Sequence, residues 1–389
     1  MPTSSTYTTY RDAAQVISSL RPEVPTYCLA PRQVTANAKA MVSLFPGEVA
    51  YAVKCNGDPV MLKALVDGGI TSFDVASVPE MALARAAKPD AALHFMHPIK
   101  TEQAIRQASA DYSVRSFAID HPDEMTKVLG AVSCPANELT LVVRLSTERG
   151  DQAATYDLSA KFGAQPDRAV ALLQEIDRAG AKAGLCFHVG SQVLDAAAYA
   201  ETLHLSQSVI EEAGVALAVL DIGGGFPAAY LDAGAEPWVS VVESAVAGLR
   251  RLDLAPAVHL MCEPGRALVA DGASLLTKVL LRDDDLIFLN DGAWGAFSEA
   301  LTAPIRWPAK AYGQDGQSLD GPTKPFRVGG VTCDSCDMLV GTYDLPASLS
   351  LGGWVEFGMM GAYSQVLRTD FNGFGDHRVV LVDEPFRPE

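Results

Sequence analysis

Short β-rich runs alternate with longer Ala- and Leu-rich stretches of helical period between residues 30 and 265, and no other feature restricts the fold of this chain so severely. Eight runs have strand character, at 49–53, 72–76, 93–96, 116–119, 139–145, 184–189, 218–222 and 258–262. Between them, segments such as 59–67, 79–87, 167–179, 196–213 and 238–252 carry apolar residues every three or four positions. Eight consecutive βα units favour a closed (β/α)8 barrel of the TIM type over an open doubly wound sheet, so the expected fold class is α/β. Past Arg266 the helical pattern stops, and runs at 274–281, 286–289, 326–331, 354–356 and 378–382 are separated by Gly, Pro and Asp. They predict an all-β C-terminal domain that also takes in the N-terminal segment. The expected division is a barrel over 30–265 and a β-rich domain built from 1–29 and 266–389.

Composition narrows the function classes. A formal charge of −17 leaves no basic stripe to neutralise phosphates, which argues against a nucleic-acid partner, and it weakly favours a cationic substrate. Met1 to Arg11 lacks the charged start and apolar core of a signal peptide, and no apolar run is long enough to span a bilayer. The expectation is a soluble, cytoplasmic protein with no membrane partner. Seven scattered cysteines suit a reducing compartment. Cys333-Asp-Ser-Cys336 has C-x-x-C spacing, but no second pair follows it, so a zinc site is not expected.

In a barrel of this kind the chemistry sits at the carboxyl ends of the strands. Lys54 follows the first run, a position for an amine that is held rigidly and partly desolvated, as Schiff-base chemistry requires, although a strand-end lysine also snorkels. Asp74 and Ser77 lie at the second run, Arg144 at the fifth, His188 and Ser191 at the sixth. Gly223, Gly224 and Gly225 follow the seventh, where bare backbone N–H groups can approach a phosphate or simply make a tight βα turn. Glu263-Pro-Gly265-Arg266 follows the eighth, as a carboxylate for a protonated ring nitrogen and a guanidinium for phosphate, or as a plain ion pair. His188 can lie against a ring or be a satisfied core histidine. Taken together, these residues describe a pocket for pyridoxal 5'-phosphate.

At these same residues the chain resembles the barrel-type, alanine-racemase-like pyridoxal-phosphate decarboxylases, and within them the ornithine/lysine decarboxylase branch. The resemblance covers nearly the whole chain. It is carried by Tyr51-Ala-Val-Lys54-Cys55-Asn56, Phe73-Asp-Val-Ala-Ser77 with Glu80, Cys186-Phe-His-Val-Gly-Ser191, Leu220-Asp-Ile-Gly-Gly-Gly-Phe-Pro227, Glu263-Pro-Gly-Arg266, Cys333-Asp334-Ser335 with Asp337, Gly361-Ala-Tyr363 and Phe371-Asn-Gly-Phe374. It implies Lys54 as the residue that tethers the cofactor, Glu263 at the pyridine nitrogen and His188 stacked on the ring. Ser191, Gly223, Gly224, Gly225, Gly265, Arg266 and Tyr363 would line the cofactor site, chiefly its phosphate, with Asp74 and Arg144 close to Lys54. Cys333 would donate the proton, and Asp334, Glu299 and Phe371 would meet the substrate. In this family the cysteine and the aspartate come from the neighbouring subunit, which implies a homodimer with shared active sites.

The resemblance therefore implies α-decarboxylation of a small basic L-amino acid, foremost L-ornithine to putrescine, with lysine or a shorter diamino acid as the alternative. An amino-acid racemase and a non-catalytic decarboxylase-like regulator are the other readings; Cys333 speaks against the first and the full set of cofactor residues against the second. Three positions depart from the family pattern. After Phe297, where an aspartate is usual, Ser298-Glu-Ala-Leu-Thr-Ala303 offers only Glu299 as a carboxylate, which either takes the distal amine or is a solvated charge. Val331 replaces a proline before the cysteine, and His97 stands where asparagine is usual.

Overall fold

The eight runs pair side by side as parallel strands and close on themselves. Glu48–Ala52, Ser72–Val75, Ala92–Phe95, Ser116–Ile119, Thr140–Leu145, Lys182–Phe187, Leu217–Asp221 and His259–Cys262 follow in order around the barrel, and the last pairs with the first through Met261 against Glu48 and Cys262 against Val49. The structure, a computed structural model, describes residues 7–147, 161–231 and 237–386; residues 1–6 of the N-terminal segment lie outside that range. Side chains from alternate strand positions fill the barrel, with Ala50, Met96, Ala118, Val142, Cys186 and Met261 packed into one cluster. Alanines facing methionines let neighbouring layers interdigitate in the narrow interior.

Local chemistry starts the helices promptly after the strands. Asp58 accepts the N–H of Val60 with Pro59 at the first helical turn of Pro59–Asp67. Ser77 caps Val78–Ala87 by accepting the Glu80 N–H, and the Glu80 carboxylate reaches back to the Ala76 N–H at 2.7 Å. Among the described residues no helix is long and apolar enough to cross a membrane.

The chain divides into two units, one of residues 37–227 and 236–267 holding the barrel, the other of residues 1–36, 228–235 and 268–389. The second unit is built on a nine-stranded sheet, in which Thr26–Leu29 lies between Ala273–Asp283 and Arg378–Val382. Its core gathers Val16, Ile17, Cys28, Leu276, Trp354 and Val380. The N-terminal segment thus joins the C-terminal sheet, as expected. Three differences from the sequence reading have local causes. Residue 53, expected in the first strand, opens the 3-10 turn Val53–Cys55. The sixth strand stops at Phe187, because Gly190 turns the backbone to a φ of 103°. A short helix, Arg266–Val269, continues past the residue where the helical pattern was expected to end.

At the amino end of the barrel, Glu48 receives Nε2 of His94 at 3.0 Å and Nε2 of His259 at 2.6 Å, and Ser72 donates to the same carboxylate. One side chain thereby ties the first strand to the second, third and eighth. Burial by itself would raise the Glu48 pKa, but the hydrogen bond and charge of His94, with the Ser72 and His259 bonds, bring it down to about 2. A carboxyl held below its usual value stabilises the fold above that usual value, and the stabilisation is lost as pH falls through the folded value. Glu48→Gln is therefore expected to melt at a lower temperature than the native chain at pH 7. The difference should shrink as pH falls from 4.5 toward about 2, which thermal unfolding followed by circular dichroism measures directly.

Candidate active site

The carboxyl end of the barrel collects the polar residues. Lys54, in the turn after the first strand, places Nζ 3.0 Å from Oδ2 of buried Asp74 on the second, while the lysine side chain keeps 44% of its exposure. The amine is thus anchored on the second strand. Pro264 accepts the Ala52 N–H at 3.1 Å, so the turn after the eighth strand lies directly on the end of the first. Gly265 makes that approach possible, since a Cβ there would stand 2.9 Å from the Cβ of Cys55.

Glycines 223 to 225 form a tightly enclosed loop. Gly223 and Gly225 have φ of 67° and 108°, and a Cβ on Gly225 would lie 2.5 Å from the Gly190 carbonyl oxygen. A Cβ on Gly224 would sit 2.5 Å from the Glu263 carbonyl oxygen and 3.3 Å from Nε2 of His188. The loop is pinned from outside by Tyr199, whose hydroxyl donates to the Gly224 carbonyl at 2.9 Å and whose ring stacks on Phe226 at 5.3 Å. Arg266, almost fully buried, donates through Nη2 to Oγ of Ser191 at 3.2 Å, which brings the serine and the guanidinium together beside the loop.

Electrostatics sort these groups by charge. Burial first, then the nearby cations of Arg144 and Lys54, hold the His188 imidazole well below its ordinary pKa, so it is neutral at pH 7. Its Nδ1 accepts the Gly190 N–H at 3.2 Å, which leaves the ring proton on Nε2. Glu263 is buried, and burial together with the charges of Asp221 and Asp74 raises its pKa well above the usual range. Its Oε1 is a buried acceptor with no hydrogen-bond partner. A flat neutral imidazole, a buried carboxyl oxygen in need of a donor, and a glycine cradle beside an arginine fit a protonated pyridine bearing a phosphate.

His97, at the end of the third strand, is also held below its ordinary value, by burial first and then by the charge of Lys100 with those of Lys161, Lys54 and Arg144. It packs edge-on against Phe162 at 5.5 Å.

In the β-rich unit a second group assembles. Cys333 is exposed, and both its N–H and its thiol meet Oδ1 of Asn372 at 3.2 Å. Asn372 adopts a left-handed φ of 54° within Phe371–Gly373. Asp334 accepts the Cys336 N–H at 2.9 Å, closing a turn beside the thiol. Asp337 points inward and takes the N–H of Ala293 at 2.6 Å with the N–H and hydroxyl of Thr332 at 2.9 and 2.7 Å, so it builds the loop. Glu299 is only 6% exposed, which overturns the solvated-charge alternative for it. Phe371 is 41% exposed and leans on Trp294 at 5.3 Å. Tyr363 holds a left-handed φ of 51° in the same unit. Of the expected residues, the barrel thus carries Lys54, Asp74, Arg144, His188, Ser191, the three glycines, Glu263, Gly265 and Arg266, and the second unit carries Glu299, Cys333, Asp334, Tyr363 and Phe371.

Sequence reasoning missed Asp221, Tyr199, Lys100 and Asn372. The side chain of Lys100 is wholly buried, donating to the carbonyls of His97, Pro98 and Ala118 at 2.9, 3.2 and 2.6 Å and pairing with Glu124 at 3.0 Å, and so fastens the rim of the third strand to the fourth. Burial, partly offset by Glu124, lowers its pKa to about 8.

A barrel that presents these groups on one rim defines a cofactor-binding α/β enzyme. Comparison with known proteins gives the family. A family model described as pyridoxal-dependent decarboxylase, pyridoxal binding domain, matches residues 31–270. The lysine/ornithine decarboxylase of Selenomonas ruminantium is 33% identical over 377 residues, 94% of this chain and 92% of that protein. Among solved structures, the arginine decarboxylase of Paramecium bursaria Chlorella virus, bound to agmatine, superposes with a TM-score of 0.82 at 29% identity over 94% of this chain and 98% of that one. The lysine/ornithine decarboxylase of Vibrio vulnificus, complexed with putrescine, gives 0.81 at 27% identity over 96% and 99%. The chain belongs to the pyridoxal-dependent decarboxylases, and it is a carboxy-lyase that uses pyridoxal phosphate.

The enclosed loop yields a direct test. Gly225→Ala forces both a left-handed alanine and a clash with Gly190, a strain of about 1–3 kcal/mol. Cofactor affinity, followed by absorbance as the apoprotein is titrated with pyridoxal phosphate, is expected to fall by about tenfold or more.

Proposed function

We propose that this enzyme removes the α-carboxylate of a small basic L-amino acid, foremost L-ornithine, releasing putrescine. The carrying observation is the Asp334 carboxylate, held by its turn beside the exposed thiol of Cys333. A carboxylate next to a proton donor suits a substrate with a cationic distal end. The relatives support a basic substrate, their names and bound products ranging over ornithine, lysine and arginine chemistry. Lysine and shorter diamino acids are the second reading, favoured by buried Glu299, whose longer side chain in place of the usual aspartate shifts where a distal amine can be met.

When bound, pyridoxal phosphate supplies an electron sink for the pair of electrons left at the α-carbon as CO2 departs. The chain does the rest. Lys54 would tether the cofactor, with Asp74 fixing its amine. Arg266, Ser191 and the N–H groups of residues 223–225 would hold the phosphate, and the guanidinium of Arg144 keeps the adjoining rim cationic. His188, neutral, would support the ring, and Glu263 would serve the ring nitrogen. Cys333 returns a proton to the α-carbon, and its bond to the Asn372 amide fixes the direction of that S–H. Tyr363 keeps only the role that the resemblance gives it.

We further propose a homodimer in which Cys333 and Asp334 complete the partner's site. Supporting this, Val366, Leu367, Phe371 and Phe374 are each at least 41% exposed on the segment that carries Asn372, an apolar surface suited to burial against a second copy. Two outcomes are expected. Ornithine should yield CO2 and putrescine faster than lysine, arginine or diaminobutyrate when products are quantified chromatographically; no amine from any of the four refutes the reading. Mixing inactive Lys54→Ala and Cys333→Ala chains should restore about a quarter of the native activity, since half the dimers then carry one intact site; no recovery on mixing refutes the shared site.

A further inference from the structure

Asp221 has no role in the account so far, yet it is the most deeply buried acid near the site. It ends the seventh barrel strand, fully excluded from solvent, and pairs in register with Met261 of the eighth. The two strands leave the barrel side by side, the Glu263 N–H donating to the Gly223 carbonyl at 2.8 Å. One oxygen of Asp221, Oδ1, accepts the Gly223 N–H at 2.9 Å. The other, Oδ2, is buried and otherwise unbonded, as is Oε1 of Glu263, and the two carboxyls stand within hydrogen-bonding reach of each other. Two buried carboxyls at that distance cannot both ionise, so a single proton joins them.

We propose that Asp221 is the positioning acid of the ring-nitrogen site: protonated on Oδ2, it donates to Glu263 and fixes that side chain as an oriented carboxylate facing the cofactor. The inference rests on Glu263 as the partner of the ring nitrogen. Backbone geometry selects the protonated atom, because Oδ1 is taken by Gly223 and only Oδ2 is left to donate. The charged groups around the pair pull both ways: Asp74 opposes a second negative charge on either carboxyl, Lys54 favours ionisation of Glu263, and His94 on the third strand favours that of Asp221. The neighbouring thiols Cys186 and Cys262 are held neutral by burial and add no charge. A ring N–H on the Glu263 side makes Glu263 the member that carries the negative charge and leaves the proton on Asp221. Since Asp221 touches Glu263 and the phosphate loop together, one side chain sets the ring end of the site and, through Gly223, the phosphate end.

Asp221→Asn tests the idea, because an amide reproduces a neutral acid: its oxygen accepts from Gly223 and its NH2 donates to Glu263. Apoprotein variants are titrated with pyridoxal phosphate and with its 1-deaza analogue, in which carbon replaces the ring nitrogen, and binding is followed by absorbance. Asn is expected to bind pyridoxal phosphate within about threefold of the native chain, whereas Ala, leaving Glu263 unsupported, loses about tenfold or more. Toward the deaza analogue the Ala chain should lose distinctly less than toward pyridoxal phosphate, because only the Gly223 contact at the phosphate end is then missing. An Asn variant as weak as Ala overturns the proposal, since the carboxylate charge would then be what matters. Equal losses by Ala toward both ligands also overturn it, reducing Asp221 to packing. If circular dichroism finds the Ala variant unfolded, the Asn result decides alone. Glu263→Ala is the separate control: if it does not distinguish the two ligands, it is the reading of Glu263 that fails.

Discussion

Pairing of the last barrel strand with the first is the constraint from which the site follows. It brings Glu263 and Arg266, more than two hundred residues further along the chain, onto the end of the strand that carries Lys54. Gly265 and Ala52 keep that seam tight, because any larger side chain would hold the turn away from Cys55. The polar groups of the barrel rim then sit at strand ends or in the short, enclosed turns that follow them, and groups carried on such elements are held more precisely than groups on free loops.

The rim is also an exercise in allocating charge. Cations from Lys54, Arg144 and Arg266 share it with Asp74 and the Glu263–Asp221 pair, and burial, reinforced by nearby positive charge, holds His188 and His97 below their ordinary pKa. Neutrality matters for His188, since an uncharged ring can lie flat on a cationic pyridine without repulsion. The buried carboxyl pair gives the opposite pole, one negative charge at a defined atom.

Much of this was legible in the sequence, for identifiable reasons. Short β-rich runs alternating with stretches of helical period mark strands well, so all eight barrel strands were found, with edges off by a residue or two where a 3-10 turn at Val53 or the turn at Gly190 cut a run short. Residues directly after strands were legible because a barrel places its chemistry there. Asp221, the last residue of a strand, was visible only as part of a motif, and Lys100 was not legible, being buried by carbonyls that no local pattern announces. Asn372 was visible only as part of a motif; its bond to a cysteine thirty-nine positions away is set by tertiary contact alone. The fate of Glu299 turned on burial, which its helical neighbours in sequence did not reveal.

The Glu48 clasp with His94 and His259 stands where the strands begin, and Lys54 stands just past the far end of the same five-residue strand, about 16 Å away at the usual rise per residue. Robustness and turnover are thereby written at opposite poles of one cylinder. Repacking or recharging the lower pole can harden the scaffold against heat or acid while the reacting groups above keep their spacing, so an engineer need not trade speed for durability.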